Sequence, residues 1–160
     1  MKRTSSADWQ CSVARTTDLI GDWWTPLVLR DASRGTTRFD DFQASLGISR
    51  NVLSQRLERL VGEGMLLPRP YSLRPPRQEY LLTEKGRDFF GVILAMMAWG
   101  DRWLADGEPP FPLRHTTCGH VTTPQVTCTQ CGGRLDLATV EPAGPADPDR
   151  ERRPGARAAP

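Results

Sequence analysis

Two helical patterns separated by a short glycine turn constrain this chain more than any other feature. The first opens at Arg38-Phe39, where Asp40 and Gln43 have capping-box spacing and Asp41 sits at the positive helix end. That short helix runs through Leu46, and Gly47 supplies a turn that needs a positive φ. Ser49 caps the next helix, expected to reach about Gly62, in which Leu53, Leu57, Leu60 and Val61 recur at i, i+4, i+7 and i+8. Its other side presents Arg50, Asn51, Ser54, Gln55, Glu58 and Arg59. An apolar stripe backed by an Arg-bearing polar face, after a glycine turn, is a helix-turn-helix pattern.

The flanking segments extend it. Upstream, Cys11 to Ile20 predicts a helix stopped by Gly21, and Trp23 to Ser33 a second with Pro26 in its first turn. Downstream, Met65 to Tyr71 predicts a strand that Pro68 and Pro70 confine to an edge. Ser72 to Arg77 is a stiff connector, and Gln78 to Leu82 returns as a second strand. Such a ribbon is a wing, whose tip holds Arg74 and Arg77 beside the minor groove or the backbone. An ordinary hairpin with solvated arginines is the alternative. Thr83 then caps a long final helix in which Phe89, Ile93, Met96, Gly100 and Trp103 recur at spacings of three and four. Val92, Met97 and Trp99 widen its apolar arc beyond what one side of a small domain covers, which points to a second subunit. The expected fold is mainly α with a small β wing (α+β): a homodimeric winged helix-turn-helix plus a small zinc-ribbon-like tail.

The net charge of +2 says little about partners, but its distribution does. Between Ser49 and Arg77 stand six arginines (50, 56, 59, 69, 74 and 77) against Glu58 and Glu63 alone, a local footprint for phosphate. Arginine favours bidentate contacts to phosphate or guanine. The N-terminus has no apolar leader, and Phe89 to Trp99, interrupted by Gly91, is too short to span a bilayer. The expectation is a soluble, cytoplasmic protein with no membrane partner. Two histidines, both in the C-terminal third, and no nucleophile elbow or phosphate loop argue against an enzyme.

Composition divides the chain into a flexible N-terminus (1–10), the winged helix-turn-helix (11–106), a Gly/Pro linker (107–113), a zinc-ribbon-like module (114–140) and a disordered tail (141–160). The module holds His115-x2-Cys118-Gly-His120 and then Cys128-x2-Cys131-Gly. Each half looks like a knuckle in which two ligands flank a tight glycine turn, and thiolate with imidazole suits a structural Zn2+. His115, Cys118, Cys128 and Cys131 are the expected ligands, with His120 as the other candidate nitrogen. Free thiols in a decayed ribbon are the competing reading. Cys11 stands apart, near Arg15, as a redox-sensing candidate or simply a small packed residue.

In order and spacing, these segments resemble the HxlR family of winged helix-turn-helix regulators over about Cys11 to Leu104. The residues that carry it include Gly21-Asp22-Trp23-Trp24-Thr25, Leu46-Gly47-Ile48-Ser49-Arg50-Asn51-Val52-Leu53, Pro75-Pro76-Arg77 and Leu82-Thr83-Glu84-Lys85-Gly86-Arg87. Departures include Trp23, where the family commonly has Lys or Arg, and Ser12, where Pro is frequent. The resemblance implies a homodimer paired mainly through first and last helices, binding a near-palindromic operator in double-stranded DNA. It also implies a small-molecule or redox effector, since several relatives carry a sensing thiol at the Cys11 position.

On this reading the Ser49–Gly62 helix enters the major groove. Arg50, Asn51 and Gln55 would read bases, because guanidinium pairs with guanine and amides with adenine. Ser49, Ser54, Arg56, Thr37 and Arg38 would fix phosphates, with Arg56 alternatively a packing residue. The expected function is a sequence-specific transcriptional regulator acting as a repressor. The competing function is a zinc-ribbon adaptor whose winged helix contacts protein.

Overall fold

The computed structural model describes residues 5, 6 and 8–144, so most of the expected disordered tail and part of the expected flexible N-terminus lie outside the described residues. Two compact units divide the described chain, one holding the described residues up to Arg87 together with 142–144 and one spanning Asp88–Glu141.

The first unit is built in the order α1 (Ser12–Ile20), α2 (Thr25–Ser33), α3 (Phe39–Leu46), α4 (Arg50–Gly62), β1 (Leu66–Leu73) and β2 (Pro76–Leu82). Its core is the apolar stripe read from the sequence, with Leu53, Leu57 and Leu60 of α4 buried beside Val28, Leu29, Phe42, Met65 and Leu66. Each such side chain contributes roughly 1.5–3 kcal/mol when fully buried. Gly47 closes α3 in the left-handed region at φ 63°, and Ser49 Oγ accepts from Val52 N at 3.4 Å to start α4. Asp31, 3% exposed, ties α2 to α3 by accepting from Ser45 Oγ at 2.7 Å.

β1 and β2 form an antiparallel ribbon from Leu66↔Leu82 to Leu73↔Pro76, irregular at Tyr71. Among the described residues β1 pairs only with β2, which is why Pro68 and Pro70 are tolerated in it. The other edge of β2 takes Tyr80 N to Thr37 O at 2.7 Å and a bridge between Arg38 and Glu79. The stiff connector expected over Ser72–Arg77 shrinks to a turn at Arg74-Pro75, because the ladder continues to the tip.

Thr83 caps the following helix as expected, with Gly86 N donating to its Oγ1 at 3.1 Å. The single long helix is corrected to α5 (Glu84–Asp88) and α6 (Phe90–Trp103). Phe89, at ψ −15°, makes an i→i+3 turn through its carbonyl to Val92 N, and Gly91 gives a helix little support there.

In the second unit, α6 buries Ile93 and exposes Met96, Trp99 and Trp103. Ala95, Ala98 and Trp99 border a hollow of about 360 Å3 with Pro124, Val126 and Leu135. The sequence divides the chain at the 107–113 linker. The compact units divide instead after Arg87, because α6 shares this hollow with the C-terminal segment. That segment carries the short pair β3 (Leu113–Arg114) and β4 (Val121–Thr122). Among the described residues no helix is long and apolar enough to cross a membrane.

Candidate nucleic-acid interface

Burial of Leu53, Leu57 and Leu60 forces Asn51 and Gln55 outward, and both are exposed on α4 with Ser49 and Arg50. Arg50 does not stand free. Its guanidinium lies over the Phe39 ring at 4.7 Å, and one nitrogen is 3.2 Å from both Asp40 Oδ1 and Gln43 Oε1. The expected Asp40–Gln43 capping box is therefore corrected. The helix starts two residues earlier than that box requires, at Phe39 with Arg38 as N-cap and no side-chain cap, and the two would-be capping side chains receive Arg50 instead.

Arg50 lines a hollow of about 380 Å3 together with Phe39, Asp40, Tyr71, Arg77 and Tyr80. The far wall belongs to the wing. Arg77 lines it beside Tyr71, whose phenol raises the pKa of the Arg77 guanidinium. Arg38 stacks on the same ring at 4.7 Å. Tyr71, at the ribbon irregularity, thus gathers two cations on the wing side of the cleft, while exposed Arg74 sits at the turn itself.

Other expected contacts point elsewhere. Arg56 is turned to the start of α2, its Nε 3.1 Å from Asp22 Oδ1 as an ion pair too poorly aligned to be a hydrogen bond. Of its two sequence readings, packing fits this position better than phosphate binding. Arg59 donates to the Asp18 carbonyl, and Arg69 pairs with Glu79 at 2.7 Å. With Arg50 on Asp40, four of the six arginines counted as one basic stretch thus have carboxylate partners inside the unit. Thr37 and Ser54 are half-buried, Thr37 with its carbonyl occupied by Tyr80 N.

Asp22 is the residue that periodicity missed. It lies outside the helix it serves, and its carboxylate accepts from Trp24 N at 2.9 Å, Thr25 N at 3.0 Å and Thr25 Oγ1 at 2.6 Å. Burial works to raise its pKa, but the bonds from Thr25 and Trp24, with the Arg56 charge, together hold it below the ordinary aspartate value. Asp followed by a Pro-containing first turn was the available signal.

Of the four expected metal ligands, two are seen as a pair: Cys118 Sγ lies 3.4 Å from His115 Nδ1. The pKa of the Cys128 thiol is lowered, chiefly by the Cys131 and Gln130 backbone N–H groups. Among the described residues no three of these side chains form one cluster. Cys11 is half-buried at the start of α1 and is a free thiol.

Residues 19–108 match the family model for the HxlR-like helix-turn-helix. The chain is 46% identical over 132 residues to an uncharacterized HTH-type transcriptional regulator of Mycobacterium tuberculosis, covering 82% of this chain and 84% of that one. The Bacillus subtilis HTH-type regulator YdeP is 36% identical over 62% of this chain and 79% of its own. Among solved structures, PA1607, described as a candidate transcription factor, superposes with a TM-score of 0.77 at 37% identity, covering 88% of this chain and 99% of its own. The redox regulator HypR in its reduced form gives a TM-score of 0.54 at 32% identity over 57% of this chain and 94% of its own.

Proposed function

The chain belongs to the HxlR-like helix-turn-helix family and is a transcriptional regulator of that type, and from this premise we propose that it binds a near-palindromic operator in double-stranded DNA as a homodimer and represses transcription. The observation that carries the DNA reading is the shared cleft. Arg50 from the reading helix and Arg77 from the wing, read separately from the sequence, line one hollow. In it the α4 N-terminus would face base edges in the major groove while Arg38, Arg74 and Arg77 lie along the phosphates. Arg50 would exchange Asp40 and Gln43 for a guanine edge, and exposed ion pairs of this kind cost little to exchange. Asn51 and Gln55 would read adenine. Ser49, with its hydroxyl at the positive end of α4, would hold a phosphate.

The exposed Met96, Trp99 and Trp103 of α6 support pairing of two copies, and a two-fold reader needs such a contact. The role is regulatory rather than catalytic, and its place is the cytoplasm. Footprinting on DNA upstream of the chain's own coding region tests the reading: two protected half-sites one helical turn apart are expected. A footprint-free complex, or capture of protein partners with no DNA affinity, would favour the adaptor reading.

Likeness to HypR supports a second reading, in which oxidation of Cys11 modulates DNA binding. Diamide should then weaken DNA binding by the wild type and spare Cys11→Ser. Equal responses of the two proteins would remove Cys11 from the mechanism.

A further inference from the structure

The second unit contains a structural repeat. β3 and β4 pair Leu113↔Thr122 and Arg114↔Val121. Thirteen residues on, Leu135 N donates to Val126 O at 3.0 Å and Thr127 bridges Arg134, the same register displaced by thirteen. Inside the first hairpin His115 N donates to His120 O at 2.9 Å and Gly119 N to His115 O at 2.7 Å. Inside the second, Cys128 N donates to Gly133 O and Gly132 N to Cys128 O, both at 2.8 Å. Gly119 and Gly132, at φ +75° and +72°, turn the two tips through the left-handed region. Arg114 also donates to the Gly119 carbonyl, pinning the first tip. Two segments of different sequence, LRHTTCGHVT and VTCTQCGGRL, thus adopt one backbone form.

The displacement maps His115 onto Cys128 and Cys118 onto Cys131, whereas His120 falls on Gly133. Every repeated donor position therefore carries a metal-binding side chain, and His120 lies outside the set. The first pair already has the right span. Donors at about 2.05 Å (N) and about 2.3 Å (S) from a tetrahedral zinc stand about 3.5 Å apart, and His115 Nδ1 to Cys118 Sγ is 3.4 Å.

The segment also has little core of its own beyond the hollow it shares with α6. Between residues 106 and 144 no residue is buried, and only Leu113, Pro124 and Cys128 are half-buried. Val121, Val126 and Leu137 are exposed, and strands two residues long do not persist alone. A module so poor in core takes its folding energy from a ligand.

We propose that this segment is a structural zinc site of three thiolates and one imidazole, held by His115 Nδ1, Cys118, Cys128 and Cys131, with His120 excluded. Among the described residues no three of the donors form one cluster; His115 and Cys118 stand as a preset pair, and the repeated backbone register puts Cys128 and Cys131 at the matching positions. Residues 123–125 between them have no ladder or helix, so the ion's role is to join the knuckles. Soft thiolates with imidazole select zinc over hard divalent cations.

The test is metal analysis of the full chain purified with reductant and without chelator. About one zinc per chain is expected, retained in His120→Ala and lost from Cys128→Ser and His115→Ala. Thiol titration should find Cys11 reactive at once and three further thiols only after a chelator is added. Cobalt in place of zinc should give the visible bands of a tetrahedral site with thiolate charge transfer in the unmodified chain, which covers the case where a variant fails to fold. Metal-free protein with four reactive thiols, or zinc retained in Cys128→Ser, would overturn the site. Zinc lost from His120→Ala but kept in His115→Ala would overturn the ligand assignment.

Discussion

Asp22 Oδ1 stands 3.1 Å from Arg56 Nε, and the same carboxylate caps α2 through Trp24 and Thr25. One side chain thereby fixes both the entry of α2 and the flank of α4, the helix proposed to read DNA. Stability and recognition separate at this point, because Arg56 lies on the side of α4 away from the exposed Asn51–Gln55 surface.

Replacing Asp22 by Ala should cost about 1–2 kcal/mol, the usual loss for an N-cap, measured by urea denaturation. Arg56→Ala should likewise lower the urea midpoint while leaving operator preference intact. A normal midpoint with lost DNA affinity would return Arg56 to the phosphate contacts.

The lowered pKa of Asp22 gives the acid response a sign. A carboxylate whose pKa is lower folded than unfolded stabilises the fold fully above its ordinary value near 3.8. That contribution is lost as the pH falls through the folded-state value. Asp22→Asn should therefore show a flatter loss of stability below about pH 4 than the wild type; parallel acid limbs would contradict the assignment.

Gly86 packs against the Met65 carbonyl so closely that a Cβ would overlap it and press on Leu82. Gly86→Ala should destabilise the first unit by roughly 1–3 kcal/mol despite the better helix propensity of alanine. A raised melting temperature would show that β1 and α5 separate easily.

Arg74→Ala and Arg77→Ala should each weaken binding to all DNA sequences alike and reduce the slope of log K against log salt by about 1. A change in sequence preference instead would place the wing on base edges.

Much of the first unit was legible because its signals are local or periodic. The Leu53–Leu57–Leu60 stripe, the left-handed Gly47, the Ser49 and Thr83 caps and the edge prolines all act within one element. What escaped depends on pairing between elements. Asp40 and Gln43 have capping-box spacing, yet Arg50, on the next helix, takes both. The six arginines read as one basic field because sequence does not reveal that Asp40, Asp22, Asp18 and Glu79 engage four of them. The split at Phe89 and the grouping of α6 with the C-terminal segment were hidden in an apolar run that reads as one helix. In that segment the two half-sites and their glycine turns were visible as a repeat, and only the matching hydrogen-bond register around them was not.

The most direct test is an anisotropy titration of wild type and Arg50→Ala against upstream DNA and a shuffled duplex at several salt concentrations. The wild type should prefer the upstream sequence, bind two chains per site and weaken steeply with salt, while Arg50→Ala loses about 1–3 kcal/mol of that preference. Equal, salt-insensitive affinity of both proteins for both duplexes would contradict DNA reading by α4.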